Sequence, residues 1–420
     1  MKRLVAPHIE KLTPYVPGKP AQELERELGI SGAVKLASNE CPLGPSPLVL
    51  DAVRAAAAAL HRYPDDDAYA LRQRLAERHG VHADEICLGH GSNQLIDLIA
   101  RAFATPEEHA VLGHPSFSCY RLQLSAANVP FSEVPMRAAD ISEPALRGGS
   151  KFDISEPALR GGSKVDISEP ALRGGSKVDI SEPALRGGSK GLFWDLPRVL
   201  AAVRPETKLV FLDNPGNPIS THIPGGELRA FLRELPENVV AVVDEAYVDF
   251  VTASDYASAL ELRRERERLL ILRTFSKAYG LAGLRLGYAI GPAVLLSYMK
   301  RVGVPFSANS LAQVAALAAL QDRAHLERCV TLNATERARL TEGLTKLGLA
   351  VAPSQTNFVC VHVERPAALV YEALLQVGVI VRPFGPPLDR HLRISVGLPE
   401  ENDRLLALLP GVLAKLPNVR

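Results

Sequence analysis

Apolar residues along this chain fall into short continuous runs separated by amphipathic stretches, the alternation expected of strands and helices in turn. Ile86-Cys87-Leu88, Ala110-Val111-Leu112, Lys208-Leu209-Val210-Phe211-Leu212, Val239-Val240-Ala241-Val242-Val243 and Leu269-Leu270-Ile271-Leu272 each read as a strand that is apolar on both faces. Such strands belong in a parallel sheet covered by helices on both sides. Helices are predicted over 46–61, where Ser46 caps and Pro47 opens the first turn, and over 68–79. Further helices are predicted over 94–103, 196–203 and 227–234, the first placing Leu95, Ile96, Leu98, Ile99 and Phe103 on one face. From about residue 295 the pattern turns helical, with long Ala/Leu-rich runs. A smaller α/β portion follows, with apolar runs at 357–361 and 392–396. The expected architecture is therefore α/β. A large domain over 41–295 carries the mostly parallel sheet, a smaller C-terminal α/β domain covers 296–420, and residues 1–40 form an arm joining the small domain.

Residues 140–191 interrupt this rhythm with four copies of a 13-residue unit, Asp-Ile-Ser-Glu-Pro-Ala-Leu-Arg-Gly-Gly-Ser-Lys plus one variable residue. Each unit is neutral and offers little apolar surface. Its Ser-Glu-Pro-Ala-Leu-Arg-Gly stretch spells one capped helical turn, too short to stand alone in water. The near-identity of the copies points to duplication, and the composition to a mobile surface excursion. Without it 368 residues remain, enough for one two-domain protein.

Charge and cysteine content narrow the function classes. Lys+Arg number 48 and Asp+Glu 47, so no global basic field invites nucleic acid. No apolar run reaches membrane-spanning length, and Met1-Lys2-Arg3 is followed by only Leu4-Val5-Ala6, too short for a signal-peptide core. The five cysteines are scattered without a C-x-x-C, which argues against a zinc cluster or a disulfide framework and for a reducing cytoplasm. His79 and His82 form the one close histidine pair, with no carboxylate suitably placed, so no metal site is expected.

Candidate chemistry collects at the carboxyl ends of the apolar runs, the edge at which open α/β sheets hold ligands. Gly89-His90-Gly91-Ser92-Asn93 joins a strand to a helix and could bind phosphate through free N–H groups, although it is equally an ordinary strand–helix turn. Asp244 ends a strand, where a carboxylate needs a cation, a donor or a helix to cap. Lys277 follows Thr274-Phe275-Ser276, with Arg285 eight residues on. A lysine in a dry crevice has a lowered pKa and makes a good Schiff-base nucleophile, and the hydroxyls and arginine suit a phosphate monoester.

Taken with Asn214-Pro215-Gly216-Asn217-Pro218, this set resembles the fold-type-I pyridoxal-phosphate enzymes, and within them the histidinol-phosphate aminotransferases. The resemblance spans nearly the whole chain outside the repeat. It is carried by Leu12-Thr13-Pro14-Tyr15-Val16-Pro17-Gly18-Lys19-Pro20, Lys35-Leu36-Ala37-Ser38-Asn39-Glu40, Arg62-Tyr63-Pro64-Asp65 and Asp244-Glu245-Ala246-Tyr247. The stretch from Thr274 to Arg285, Pro353-Ser354-Gln355-Thr356-Asn357-Phe358 and Leu392-Arg393-Ile394 extend it.

The resemblance implies a fold-type-I architecture, pyridoxal 5'-phosphate as cofactor, and amino transfer between histidinol phosphate and 2-oxoglutarate in a ping-pong order, a step of histidine biosynthesis. It implies that Lys277 holds the cofactor and moves the proton, that Asp244 pairs with the pyridine nitrogen, and that Asn217 and Tyr247 bond its phenolic oxygen. Ser92, Asn93, Ser276 and Arg285 would hold the phosphate, and Phe117 would stack on the ring, with Tyr120 as the fallback. Tyr63 would reach the neighbouring subunit's cofactor, which implies a homodimer. Tyr15, Asn39, Arg382 and Arg393 fall on the substrate side.

Several positions depart from the family pattern: Phe117 where a Tyr is frequent, Ile219-Ser220 in place of Thr-Gly, Gln94 in place of an acid, and Cys41 in place of Asn. The first two bear on substrate choice. An aromatic-amino-acid aminotransferase and a threonine-phosphate decarboxylase on the same scaffold are therefore the near rivals. An interaction protein whose repeat binds a partner, with a vestigial cofactor site, is the rival from another class.

Overall fold

Seven strands make the central sheet of the computed structural model, which describes residues 4–14, 18–140 and 190–417. Across the sheet they run Ile86–Gly89, Gly287–Ile290, Leu269–Thr274, Val240–Asp244, Thr207–Asp213, His109–His114 and Phe131–Pro135. Only Gly287–Ile290 is antiparallel to its neighbours. Alternation along each strand sends successive side chains to opposite faces. Leu209 and Phe211 therefore join one apolar layer with Leu95, Ile96 and Ile99 of helix Gly91–Phe103. Val210 and Leu212 join the other, with Leu71 and Leu75 of helix Tyr69–His79 and Leu228 and Phe231 of helix Gly225–Glu234. Both faces of the strands are buried, which is why the runs are apolar throughout.

The parallel strands end on one edge. Cα pairing sets Asp213 beside Asp244, and Asp244 beside Leu272, two residues before Thr274. A second, four-stranded antiparallel sheet holds Ala350–Val351, Phe358–His362, His391–Ser395 and Arg382–Pro383 in that order. Helices Arg323–Lys346, Ala367–Leu375 and Pro399–Lys415 contribute Leu340, Leu374 and Leu405 to its core. The N-terminal segment belongs with this second sheet. Val34–Lys35 pairs in parallel with Val379–Ile380, and the Ser395 N–H donates to the Leu36 carbonyl. Residues 37–39 then run on towards the edge of the central sheet. Among the described residues no helix is long and apolar enough to cross a membrane.

Three local features differ from the sequence expectation. The helix predicted over 46–61 runs from Pro47 to Ala56 and tightens into a 3-10 turn at Ala57–Ala59. Ala57 to Leu60 are exposed and leave no apolar stripe to continue the α-helix. The helix predicted to begin at residue 94 begins at Gly91, so Ser92 and Asn93 are its first turn, with N–H groups free of intrahelical partners. An antiparallel hairpin, Arg137–Asp140 with Lys190–Phe193, pairs Asp140 with Lys190 at the two ends of the repeat. The surface excursion expected for the repeat itself falls on residues 141–189, outside the described residues.

Candidate active site

A cleft of about 910 Å³ opens where the central sheet edge meets residues 37–39 and the second sheet. Ser92, Asn93, Phe117, Asn217, Asp244, Tyr247, Ser276, Lys277, Arg285, Asn39, Arg382 and Arg393 all line it. Of the remaining predicted residues, Tyr15 lies outside the described residues. Tyr63 is 83% exposed, stacks on Phe306 at 4.8 Å between ring centroids, and does not line the cleft of its own chain.

Each side chain is positioned by the element that carries it. Lys277 follows the strand ending at Thr274, and its Nζ donates to the carbonyls of Asn39 at 3.3 Å and Ser38 at 3.4 Å. Burial, then the Arg393 charge, lowers its pKa to about 8. Asp244 ends its strand with a buried carboxylate. The Tyr120 hydroxyl donates to Oδ2 at 2.9 Å and the Ala246 N–H to Oδ1 at 3.1 Å. Burial pushes Asp244 up to about 6, and those two donors oppose the shift. Tyr247, three residues on, accepts from Asn39 Nδ2 at 3.0 Å, and burial raises its hydroxyl to about 12.

The glycine turn and Arg285 form a cup. A Cβ placed on Gly91 would lie 2.7 Å from Arg285 Nη2, so the bare glycine is what lets the guanidinium lie against the helix start. Arg285 takes a left-handed backbone (φ 58°), as does Asn39 (φ 56°), and both line the cleft. Such conformations concentrate where structure around a site holds them.

The two aromatic candidates, both lining the cleft, differ in burial. Tyr120 is fully buried, its ring stacked on Phe211 at 5.1 Å and its hydroxyl committed to Asp244. Phe117, edge-on to Tyr120 at 5.6 Å, is the ring that remains partly open to the cleft.

Across the cleft, Arg393 Nη1 donates to Asn217 Oδ1 and its Nη2 to the Ala37 carbonyl, each at 2.7 Å. Antiparallel pairing sets Arg382 opposite Arg393. A second cavity of about 1020 Å³ shares Phe117, Asn217, Arg382 and Arg393 with the cleft and runs on to Arg121 and Glu133.

Several residues in or beside the cleft were not among the sequence-predicted site residues. Ser395 donates to Asn39 Oδ1 and receives the Asn39 N–H, while Asn357 Nδ2 donates to the Asn39 carbonyl. Asp213, also lining the cleft, accepts the Asn217 N–H at 2.9 Å through Oδ2. Its Oδ1 is buried and meets no hydrogen-bond geometry among the described residues, and burial pushes its pKa up to about 7, opposed by the Asn217 N–H. Its place at a strand end, like that of Asp244, was the available signal.

The family profile of class I and II aminotransferases matches residues 31–145 and 182–409. Histidinol-phosphate aminotransferase 2 of Pseudomonas aeruginosa is 40% identical over 416 residues, covering 98% of both chains. The chain belongs to the histidinol-phosphate aminotransferase family. Histidinol-phosphate aminotransferase 1 of Nitrosococcus oceani is likewise 40% identical, over 98% of this chain and 97% of its own. Among solved structures, the histidinol-phosphate aminotransferase of Sinorhizobium meliloti in complex with pyridoxal-5'-phosphate superposes with a TM-score of 0.79 at 28% identity, covering 99% of this chain and 98% of that one. The expected fold-type-I aminotransferase architecture, mostly parallel sheet with helices on both faces, is thus the observed one.

Proposed function

We propose that this chain is a pyridoxal-phosphate-dependent transaminase that moves the amino group of L-histidinol phosphate to 2-oxoglutarate, yielding imidazole-acetol phosphate and glutamate for histidine biosynthesis. The observation that carries the reading is the meeting of Lys277, Asp244, Arg285 and Arg393 in one cleft of a chain 40% identical to histidinol-phosphate aminotransferases.

The residues fit the cofactor. Ser92 and Asn93 N–H groups at a helix start, with Ser276 and Arg285, suit its phosphate. The Asp244 carboxylate, kept ionised above about pH 6, suits the pyridine nitrogen. Asn217 Nδ2 and the Tyr247 hydroxyl remain as donors to the phenolic oxygen, and Phe117 is the ring to stack on it. When bound, pyridoxal phosphate supplies an electron sink for the pair left behind when a proton leaves the substrate Cα.

The remaining work falls to the protein. Lys277 would hold the cofactor, and its amine would take the proton from the substrate Cα. A pKa near 8 keeps a useful fraction neutral for that task at physiological pH. Asp244 keeps the ring nitrogen protonated. Arg393 and Arg382 grip the anionic end of the amino donor or the carboxylate of 2-oxoglutarate, a guanidinium binding either bidentately. Asn39 sets the entrance by holding Lys277, Tyr247 and Ser395 together. Donor and acceptor use the same cleft in turn, which gives ping-pong kinetics. The domain division at residues 40 and 295 is kept in this reading, with Asn39 delivered from the N-terminal arm.

The deciding measurement compares kcat/KM for histidinol phosphate and phenylalanine with 2-oxoglutarate as acceptor, alongside a carbon dioxide release assay on threonine phosphate. Preference for phenylalanine, or release of carbon dioxide, would overturn the substrate assignment.

A homodimer is part of the same reading. Leu60, Tyr63, Tyr69, Val304 and Phe306 are exposed apolar side chains, and a second copy is the partner that lets Tyr63 meet a cofactor phosphate. Mixing Tyr63→Ala chains with Lys277→Ala chains should regenerate one complete site per mixed dimer. No recovery of activity would refute the shared site. A cytoplasmic location belongs to the same reading, in keeping with five scattered cysteines without a C-x-x-C.

A further inference from the structure

We propose that Cys41 and Cys329 form a peroxide-reactive thiol pair that closes to an intrachain disulfide. The two residues lie 288 positions apart, Cys41 just after Asn39 and Cys329 on helix Arg323–Lys346, yet their Sγ atoms approach to 3.4 Å. A disulfide requires about 2.05 Å, so closure needs about 1.4 Å of approach shared by two side chains. The approach is held from a second point, because His325 on the same helix donates from Nε2 to the Gly44 carbonyl at 3.0 Å.

Exposure assigns the order of reaction. Cys41 is partly exposed and Cys329 is buried. The Cys329 thiol beside it, with the N–H groups of Leu43 and Gly44, brings the Cys41 thiol down despite its burial. The neighbouring Cys41 and burial push Cys329 the other way. Cys87, Cys119 and Cys360 are buried, and burial raises their thiols to about 11, 12 and 12. One thiolate and one adjacent thiol are the parts such chemistry needs.

The Cys41 thiolate attacks one oxygen of hydrogen peroxide. The S–O bond forms, the O–O bond breaks, and the leaving hydroxide becomes water by taking a proton. The Cys329 sulfur then attacks the Cys41 sulfur. The S–S bond forms, the S–O bond breaks, and the departing hydroxide leaves as water with the Cys329 proton. Two thiols lose two electrons in all, and one peroxide is reduced to two waters. A dithiol reductant reverses the change by exchange. The product ties the segment bearing Asn39, whose carbonyl meets Lys277, to the helix that supports the second sheet.

The test uses the full chain with its cofactor, treated with stoichiometric hydrogen peroxide and read by intact mass and a non-reducing peptide map. The expected result is a loss of about 2 Da, a peptide joining Cys41 to Cys329, and a melting midpoint several degrees above that of the reduced protein, since a crosslink over a long loop restricts the unfolded chain. Dithiothreitol should restore the original midpoint. Cys41→Ser should abolish the mass loss, and Cys329→Ser should trap Cys41 as a sulfenic acid that dimedone captures. An unchanged mass overturns the proposal. So does a bridge to another cysteine, wild-type oxidation that stops at Cys41 with a gain of about 16 or 32 Da, or a 2 Da loss that persists in Cys41→Ser.

Discussion

Replacing Lys277 with Met should make the cofactor-free protein more stable while ending turnover. In that state the amine lies partly open to the cleft, with burial and Arg393 lowering its pKa from 10.5 to about 8. At pH 7 the amine is charged in the folded and the unfolded chain alike, so the fold bears the whole cost of the mismatch. The gap of about 2.5 units corresponds to about 3.4 kcal/mol at about 1.36 kcal/mol per unit, and the opening to solvent brings this to about 2–3 kcal/mol. Methionine has a similar length and no charge, so Lys277→Met should gain about that much at pH 7. Between pH 8 and 10.5 the unfolded wild-type chain binds more protons than the folded one. Wild-type stability therefore rises with pH across that window, and the advantage of the variant shrinks, disappearing above about pH 10.5. Urea unfolding of both cofactor-free proteins at pH 7, 8, 9 and 10, followed by Trp194 fluorescence and far-ultraviolet circular dichroism, measures the difference. Titrating groups remote from Lys277 cancel between the two proteins, and Asp244, which loses the Lys277 charge in the variant, titrates mainly below this window. A stability difference that stays constant with pH, or a variant less stable than wild type at pH 7, would refute the reasoning.

Arg393→Lys should fold normally but lower kcat/KM by about 100-fold, since an ammonium cannot serve Asn217, Ala37 and a bidentate anion together; steady-state kinetics with circular dichroism checks both halves. Glu245→Ala should cost about 3–5 kcal/mol in urea unfolding, because it strands the guanidinium of Arg273, which now donates to Glu245 Oε2 at 2.7 Å from Nη2 and 3.0 Å from Nε. Excising residues 140–178 leaves one unit of the repeat, Asp179 taking the place of Asp140 opposite Lys190. It shortens the hairpin connection from 49 residues to 10, which for an unstructured loop stabilises by about 1.4 kcal/mol with kinetics unchanged. A lowered melting midpoint or altered KM would mean that the copies contact the body of the enzyme.

The central sheet was legible because strands buried on both faces need uninterrupted apolar runs, and the strands at 207–213, 240–244 and 269–274 carry them. That Asp244 and Lys277 would line a cleft was legible because polar residues at or just past the end of such runs lie on the edge of a parallel sheet, whereas Arg285, eight residues past Lys277, was read from its motif. The hairpin at the foot of the repeat was not. Its strands are four residues each, and 49 residues separate partners that only the folded chain sets side by side. The Asn39 cluster was hidden for the same reason, since Ser395 and Asn357 reach it from more than 300 residues away. Cys41 looked like a simple departure from a motif until the fold set Cys329 against it.

Asp213 marks the boundary between these cases. Its run ends in a carboxylate just as that of Asp244 does, so its candidacy could be read locally. Its consequence could not, because that depends on register. Strands Thr207–Asp213 and Val240–Asp244 align their last residues, which sets the two carboxylates side by side at the base of the cleft. A slip of one residue would turn the Asp213 side chain to the opposite face of the sheet. Asn217 would then lose the acceptor for its N–H, and Arg393, bonded to Asn217 Oδ1, would lose the support of that loop. The apolar residues of strand Thr207–Asp213 are sorted between two cores, and this sorting prevents the slip. The packing that makes the sheet stable is thus also what aligns Asp213 and Asp244 with Asn217 and Arg393 across the cleft.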